Sequence, residues 1–86
     1  MKKIMMFYLP TCPFCIEAFA FVEELKAEYP EFQGLEIQTI NEKEEEELAN
    51  SYDYHYVPTY YVDGVKLHEG ISDKDMIEAV LRAAIA

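Results

Sequence analysis

The apolar run Ile4 to Leu9 stops at Pro10, and within a few residues the hydrophobic spacing changes from continuous to helical. A strand covered on both faces reads as an unbroken apolar run, whereas an amphipathic helix shows apolar positions three and four apart. Cys15, Ala18, Phe19, Val22, Leu25 and Tyr29 keep the second spacing, with Glu17, Glu24 and Glu28 on the opposite side. A central strand therefore feeds directly into a helix of about four turns. Pro13 suits the first turn of that helix, where no amide donor is required, and Pro30 ends it.

Two cysteines occupy this junction, in the order Cys12-Pro13-Phe14-Cys15. The first lies where a helix N-terminus carries partial positive charge, which stabilises a thiolate. Cys12 is the expected nucleophile. Cys15 follows about one helical turn later, close enough to close a small disulfide ring and more buried by the helix, so it is the expected resolving thiol. Two cysteines three residues apart cannot cross-link distant parts of a fold, and they read as a redox or metal pair. A zinc site would need further ligands at suitable spacing, and His55 and His68 stand alone. No metal is expected within one chain.

Eighty-six residues make a single domain, residues 1–86. The apolar stretch after Met1-Lys2-Lys3 is too short for a membrane span of about 20 residues and has no small-residue cleavage site behind it, so the chain is expected to be cytoplasmic. Seven Lys and Arg stand against 17 Asp and Glu, a net charge of −10, which repels nucleic acid and anionic membranes and favours neutral or basic protein partners.

Further along, Leu35 to Ile40 alternates apolar and polar residues, predicting a half-buried strand near a sheet edge. Asn41 then offers an N-cap for a second helix, Glu42 to about Ser51, with Leu48, Ala49 and Tyr52 as its apolar contacts. The Glu-rich start of that helix reads as a solvated face. Thr59 to Val62 and Val65 to Glu69 flank Asp63-Gly64, a strong two-residue hairpin signal. Ser72 with Asp75 resembles a capping box for a last helix carrying Met76, Ile77, Val80, Leu81 and Ala84. The order is β-α-β-α-β-β-α, an α/β domain with a four-stranded mixed sheet flanked by helices on both faces.

These residues resemble the thioredoxin/glutaredoxin family over essentially the whole chain. Cys12-Pro13-Phe14-Cys15 is similar to the Cys-Pro-aromatic-Cys of dithiol glutaredoxins, Val57-Pro58-Thr59 to the cis-proline segment, and Gly70 sits where the family has a glycine. The resemblance implies a thioredoxin fold and a thiol–disulfide oxidoreductase. A proline between helix and strand otherwise only marks a boundary, so the cis bond at Pro58 is an implication of the family. With it, the peptide group of Val57 turns outward beside Cys12 and pairs with an extended substrate backbone as an added strand would. Pro13, Phe14, Val57, Pro58 and Thr59 are thus the expected substrate-binding residues.

Departures from the family bear on the partner. Leu9 stands where glutathione-binding glutaredoxins usually carry Lys, and Glu69-Gly70 replaces a Gly-Gly pair, with the acidic Glu69 opposing an anionic ligand. Ser72 and Asp73 occupy positions that cap the γ-glutamyl group in glutaredoxins, which leaves room for residual glutathione binding as a co-substrate. Met6 replaces the buried Asp that relays protons in thioredoxins. With no Lys or Arg near Cys12 in sequence, weak thiolate stabilisation predicts a reducing couple, nearer about −270 mV than about −200 to −230 mV. The expected function is reduction of protein disulfides by a monomer, without a resident cofactor, regenerated by a flavoprotein disulfide reductase or by glutathione. Two other readings use the same cysteines: a homodimeric metal or iron–sulfur module, and a redox-sensing interaction domain without turnover. His55 is more readily a surface or packing residue than a proton shuttle beside Cys12.

Overall fold

The computed structural model describes residues 1–86. Its elements run β1 (Ile4–Tyr8), α1 (Pro13–Glu28), a 3₁₀ turn (Pro30–Phe32), β2 (Ile37–Asn41), α2 (Glu46–Asn50), β3 (Thr59–Val62), β4 (Val65–Glu69) and α3 (Lys74–Ile85). The sheet order is β2-β1-β3-β4, with β1 parallel to β2 and the other two pairs antiparallel. No helix is long and apolar enough to cross a membrane.

Strand β1 is central because both of its faces are apolar. Ile4 and Met6 point into the larger core, with Ala18, Val22 and Leu25 of α1 and Ile77, Val80, Leu81 and Ala84 of α3. Met5 and Phe7 point the other way, to Ile40, Tyr61 and Ala49 of the short α2. The alternation follows from the two-residue period of a strand. Phe32, in the 3₁₀ turn, is fully buried, and the Arg82 guanidinium lies 4.9 Å from its ring centroid.

Three sequence expectations are corrected. Strand β2 begins at Ile37, while Leu35 is buried in the preceding loop, its amide bonded to the Phe32 carbonyl at 3.1 Å and its own carbonyl held by Lys26 Nζ at 2.8 Å. Helix α2 spans only Glu46–Asn50: Asn41 completes β2, and its side-chain oxygen accepts from the amides of Lys43 at 3.0 Å and Glu44 at 3.4 Å. Such local bonds compete with helix formation, and the crowded carboxylates from Glu42 to Glu47 give a helix there little support. The cap of α3 is Asp73, whose Oδ1 accepts from the Met76 amide at 2.8 Å. Ser72 is instead buried with its hydroxyl 2.9 Å from that of Tyr60, and Met76 is exposed.

The hairpin forms where its turn chemistry places it. Asp63 (φ 49°) and Gly64 (φ 81°) both adopt positive φ, the requirement of the tight turn whose twist matches its strands. Beyond it the ladder is irregular: Tyr61 faces Lys66 and Tyr60 faces His68, so Leu67 is an extra residue. A bulge of this kind changes which side the later residues of a strand face.

Candidate active site

The turn after β1 sets the first sulfur. The Cys12 amide donates to the Leu9 carbonyl at 3.1 Å, and the Cys12 carbonyl accepts from the amides of Cys15 at 3.0 Å and Ile16 at 3.1 Å. Cys12 is thereby the N-cap of α1, in extended conformation (φ −82°, ψ 118°), and Pro13 fills the first helical position. No acidic residue lies in the first turn, since Glu17 falls just beyond it. The thiol of Cys12 is partly exposed at the positive end of a sixteen-residue helix.

The second wall of the site comes from the loop before β3. The Val57–Pro58 peptide is cis, and the Val57 carbonyl oxygen lies 3.9 Å from Cys12 Sγ. The next carbonyl, that of Pro58, is already used by the Gly70 amide at 2.8 Å. Gly70 has φ 92°, a conformation that a side chain would strain. Phe14, Tyr56 and Ile71 present exposed apolar surface from the first turn of α1, the loop and the segment after β4.

Both cysteines are free thiols, and Cys15 is fully buried. Burial pushes the Cys15 thiol up to about 12; the Leu9 backbone opposes this, while the hydrogen bond and charge of Cys12 and the Glu42 carboxylate add to it. Cys15 therefore keeps its proton at neutral pH, beside Cys12. The two sulfurs thus sit in different environments, one partly exposed at a helix end and the other buried with its proton held.

The glutaredoxin family model matches residues 4–67 of the chain. A thioredoxin of Methanocaldococcus jannaschii is 34% identical over 79 residues, 91% of each chain. The chain belongs to the thioredoxin/glutaredoxin family. Two solved structures share its thioredoxin fold: one described as a malarial protein, with TM-score 0.74, 13% identity and coverage of 100% of this chain and 99% of the other, and a point mutant of a thioredoxin from Halobacterium salinarum, with TM-score 0.71, 24% identity and coverage of 99% and 75%. Membership in the thioredoxin/glutaredoxin family makes thiol–disulfide oxidoreduction the general chemistry of the site.

Within this family frame, the residues expected at the site divide. Cys12, Pro13, Phe14 and Val57 lie at or next to the exposed sulfur, and Pro58 is buried beneath them. Thr59 does not face a substrate: it is buried, and its hydroxyl donates to the Tyr56 carbonyl, shaping the loop from within. Ser72 is likewise turned inward to Tyr60, and Asp73 has one carboxylate oxygen committed to capping α3. His55 is exposed beside Leu9, Glu42 and Tyr54 along an open groove of about 680 Å³. Tyr54 donates to Glu42 Oε1 at 2.7 Å, and its phenol is raised by burial and by that bond.

Glu69 is not the free anion that its sequence position implies. Its Oε2 accepts from the amides of His55 at 2.7 Å and Tyr56 at 3.0 Å, and its Oε1 is 2.7 Å from Lys66 Nζ. The Lys66 bond first, then the His55 amide, holds the Glu69 carboxyl down to about 2, against partial desolvation. With the folded value below the ordinary one of 4.5, this contribution is complete above pH 4.5 and disappears as pH falls through about 2. The urea midpoint of the wild type should fall more steeply across that window than that of Glu69→Gln, which has no proton to gain there. Parallel curves would show that the carboxylate contributes nothing.

Proposed function

We propose that the chain reduces protein disulfides through a Cys12/Cys15 dithiol cycle. The observation that carries this reading is the placement of a partly exposed Cys12 sulfur at the start of α1, 3.9 Å from the Val57 carbonyl and backed by a buried thiol. The Cys12 thiolate attacks one sulfur of a substrate disulfide; a Cys12–substrate disulfide forms, and the other substrate sulfur leaves and takes a proton. Cys15 loses its proton and attacks Cys12 Sγ, forming the Cys12–Cys15 disulfide and releasing the second substrate thiol. Two electrons and two protons pass to the substrate. The backbone edge at Val57 holds the substrate chain extended, and Phe14, Tyr56 and Ile71 give it apolar contact.

The resetting electrons come from a flavoprotein disulfide reductase in preference to glutathione. Leu9 offers no cation to a glutathione carboxylate, Ser72 is engaged with Tyr60, and Asp73 caps α3. The net charge of −10 adds a field against small anionic thiols and toward neutral or basic protein partners. In this reading the chain works as a cytoplasmic monomer with no resident cofactor.

The test is insulin reduction by the purified protein with NADPH and a thioredoxin reductase, in parallel with glutathione, glutathione reductase and NADPH. Turnover is expected in the first system and little in the second. Turnover with glutathione alone would reassign the donor, and no reduction in either system or with dithiothreitol would overturn the reading.

A further inference from the structure

Glu69 and Lys66 are three apart on β4, a spacing that places side chains on opposite faces of a regular strand. They meet because Leu67 is an extra residue: Lys66 pairs with Tyr61 and Glu69 with Thr59, both on the α2 side of the sheet. From that side the pair reaches the loop leading to the site. Lys66 Nζ donates to the Asp53 carbonyl at 3.2 Å, and Tyr61 donates its hydroxyl to the same oxygen at 2.7 Å. Glu69 takes the amides of His55 and Tyr56, the two residues directly before Val57. One carboxylate thus accepts two backbone donors while its other oxygen is held by the lysine, and bonds to an ionised acceptor are roughly twice as strong as neutral ones.

We infer that the bulge at Leu67 creates a clamp, Lys66 and Glu69, that fixes the backbone of residues 53–56 and so presents the Val57 edge beside Cys12 to an extended substrate. The two are positioning residues. They touch no reacting atom in the exchange, and they act by removing freedom that substrate binding would otherwise have to remove. The inference rests on the proposed reduction of protein disulfides and adds to it the group that orders the recognition edge. A small disulfide makes no strand pairing at Val57 and should not sense the clamp.

The experiment compares wild type, Glu69→Ala and Glu69→Gln in the reduction of insulin and of hydroxyethyl disulfide, with dithiothreitol as donor. For Glu69→Ala, KM for insulin should rise about tenfold, equivalent to about 1.4 kcal/mol, with kcat little changed and the small disulfide reduced at the wild-type rate. Glu69→Gln keeps a side-chain carbonyl for the two amides but loses the charge and the Lys66 bond, and should restore KM part-way toward the wild-type value. An unchanged KM in Glu69→Ala, an equal loss on both disulfides, or a Gln variant as impaired as the Ala variant would overturn the clamp. Amide hydrogen exchange reads it without turnover: His55 and Tyr56 should be protected in the wild type and unprotected in Glu69→Ala, and equal exchange in both would also overturn it. A wild type that reduces neither disulfide would defeat the underlying reading and the clamp's role in it, while exchange would still report whether the clamp exists.

Discussion

Replacing Cys12 by Ser should lower insulin reduction by roughly a thousandfold or more, the scale on which loss of a nucleophile is felt. Nothing else in the site can form the first bond. Cys15 is fully buried and holds its proton with a thiol raised to about 12, so it cannot take over the attack. Cys15→Ser should fail differently. Its Cys12 still attacks the substrate, but no second thiol releases it, and the Cys12–substrate disulfide accumulates as a species resolved by mass spectrometry or non-reducing electrophoresis. The raised thiol of Cys15 also gives the release step a direction with pH: thiolate becomes more abundant as pH rises, so the wild-type mixed disulfide should be shorter-lived at higher pH. A Cys12→Ser protein with wild-type turnover, or a Cys15→Ser protein that forms no adduct, would remove the dithiol cycle.

Phe7→Ala should be the most damaging substitution to the fold on the α2 side. Phe7 is fully buried, and its ring centroid lies 5.0 Å from that of Tyr52, 4.8 Å from that of Tyr54 and 5.8 Å from that of Tyr61. No long helix covers this side, so the aromatic cluster is its core. Truncation of a buried Phe typically costs about 3–5 kcal/mol, a large share of the about 5–15 kcal/mol that stabilises an ordinary domain. Phe7→Leu should lose much less because most of the volume is kept. Urea unfolding checks both, and a loss below about 1 kcal/mol for the Ala variant would mean that the tyrosines close over the gap.

Long elements with a single strong signal were legible without coordinates. β1 followed from its unbroken apolar run, α1 from its stripe, and the hairpin from Asp63-Gly64, whose two positive φ angles the turn requires. The two sulfurs followed from the junction itself. The cis bond at Pro58 was accessible only through family likeness. Short elements were not legible in detail, because a few residues allow several local bonding schemes of similar worth. Asn41 could cap a helix or close a turn, and Ser72, read as the cap of the last helix, yields that place to Asp73 because the buried Tyr60 hydroxyl engages the serine. The partners of Glu69 were hidden for another reason. Its side-chain direction depends on one extra residue in β4, and nothing in the composition of Val65 to Glu69 marks Leu67 as that residue.

The unequal thickness of the two faces of the sheet has a mechanical consequence. The sulfur that reacts is mounted on the heavy side, where two long helices pack against β1 and β3. The backbone edge at Val57 hangs from the light side, held by rings and a few polar ties. Give in the molecule is therefore concentrated in the thin α2 layer, outside the stretch that Lys66 and Glu69 pin, and the Cys12 sulfur is spared from it.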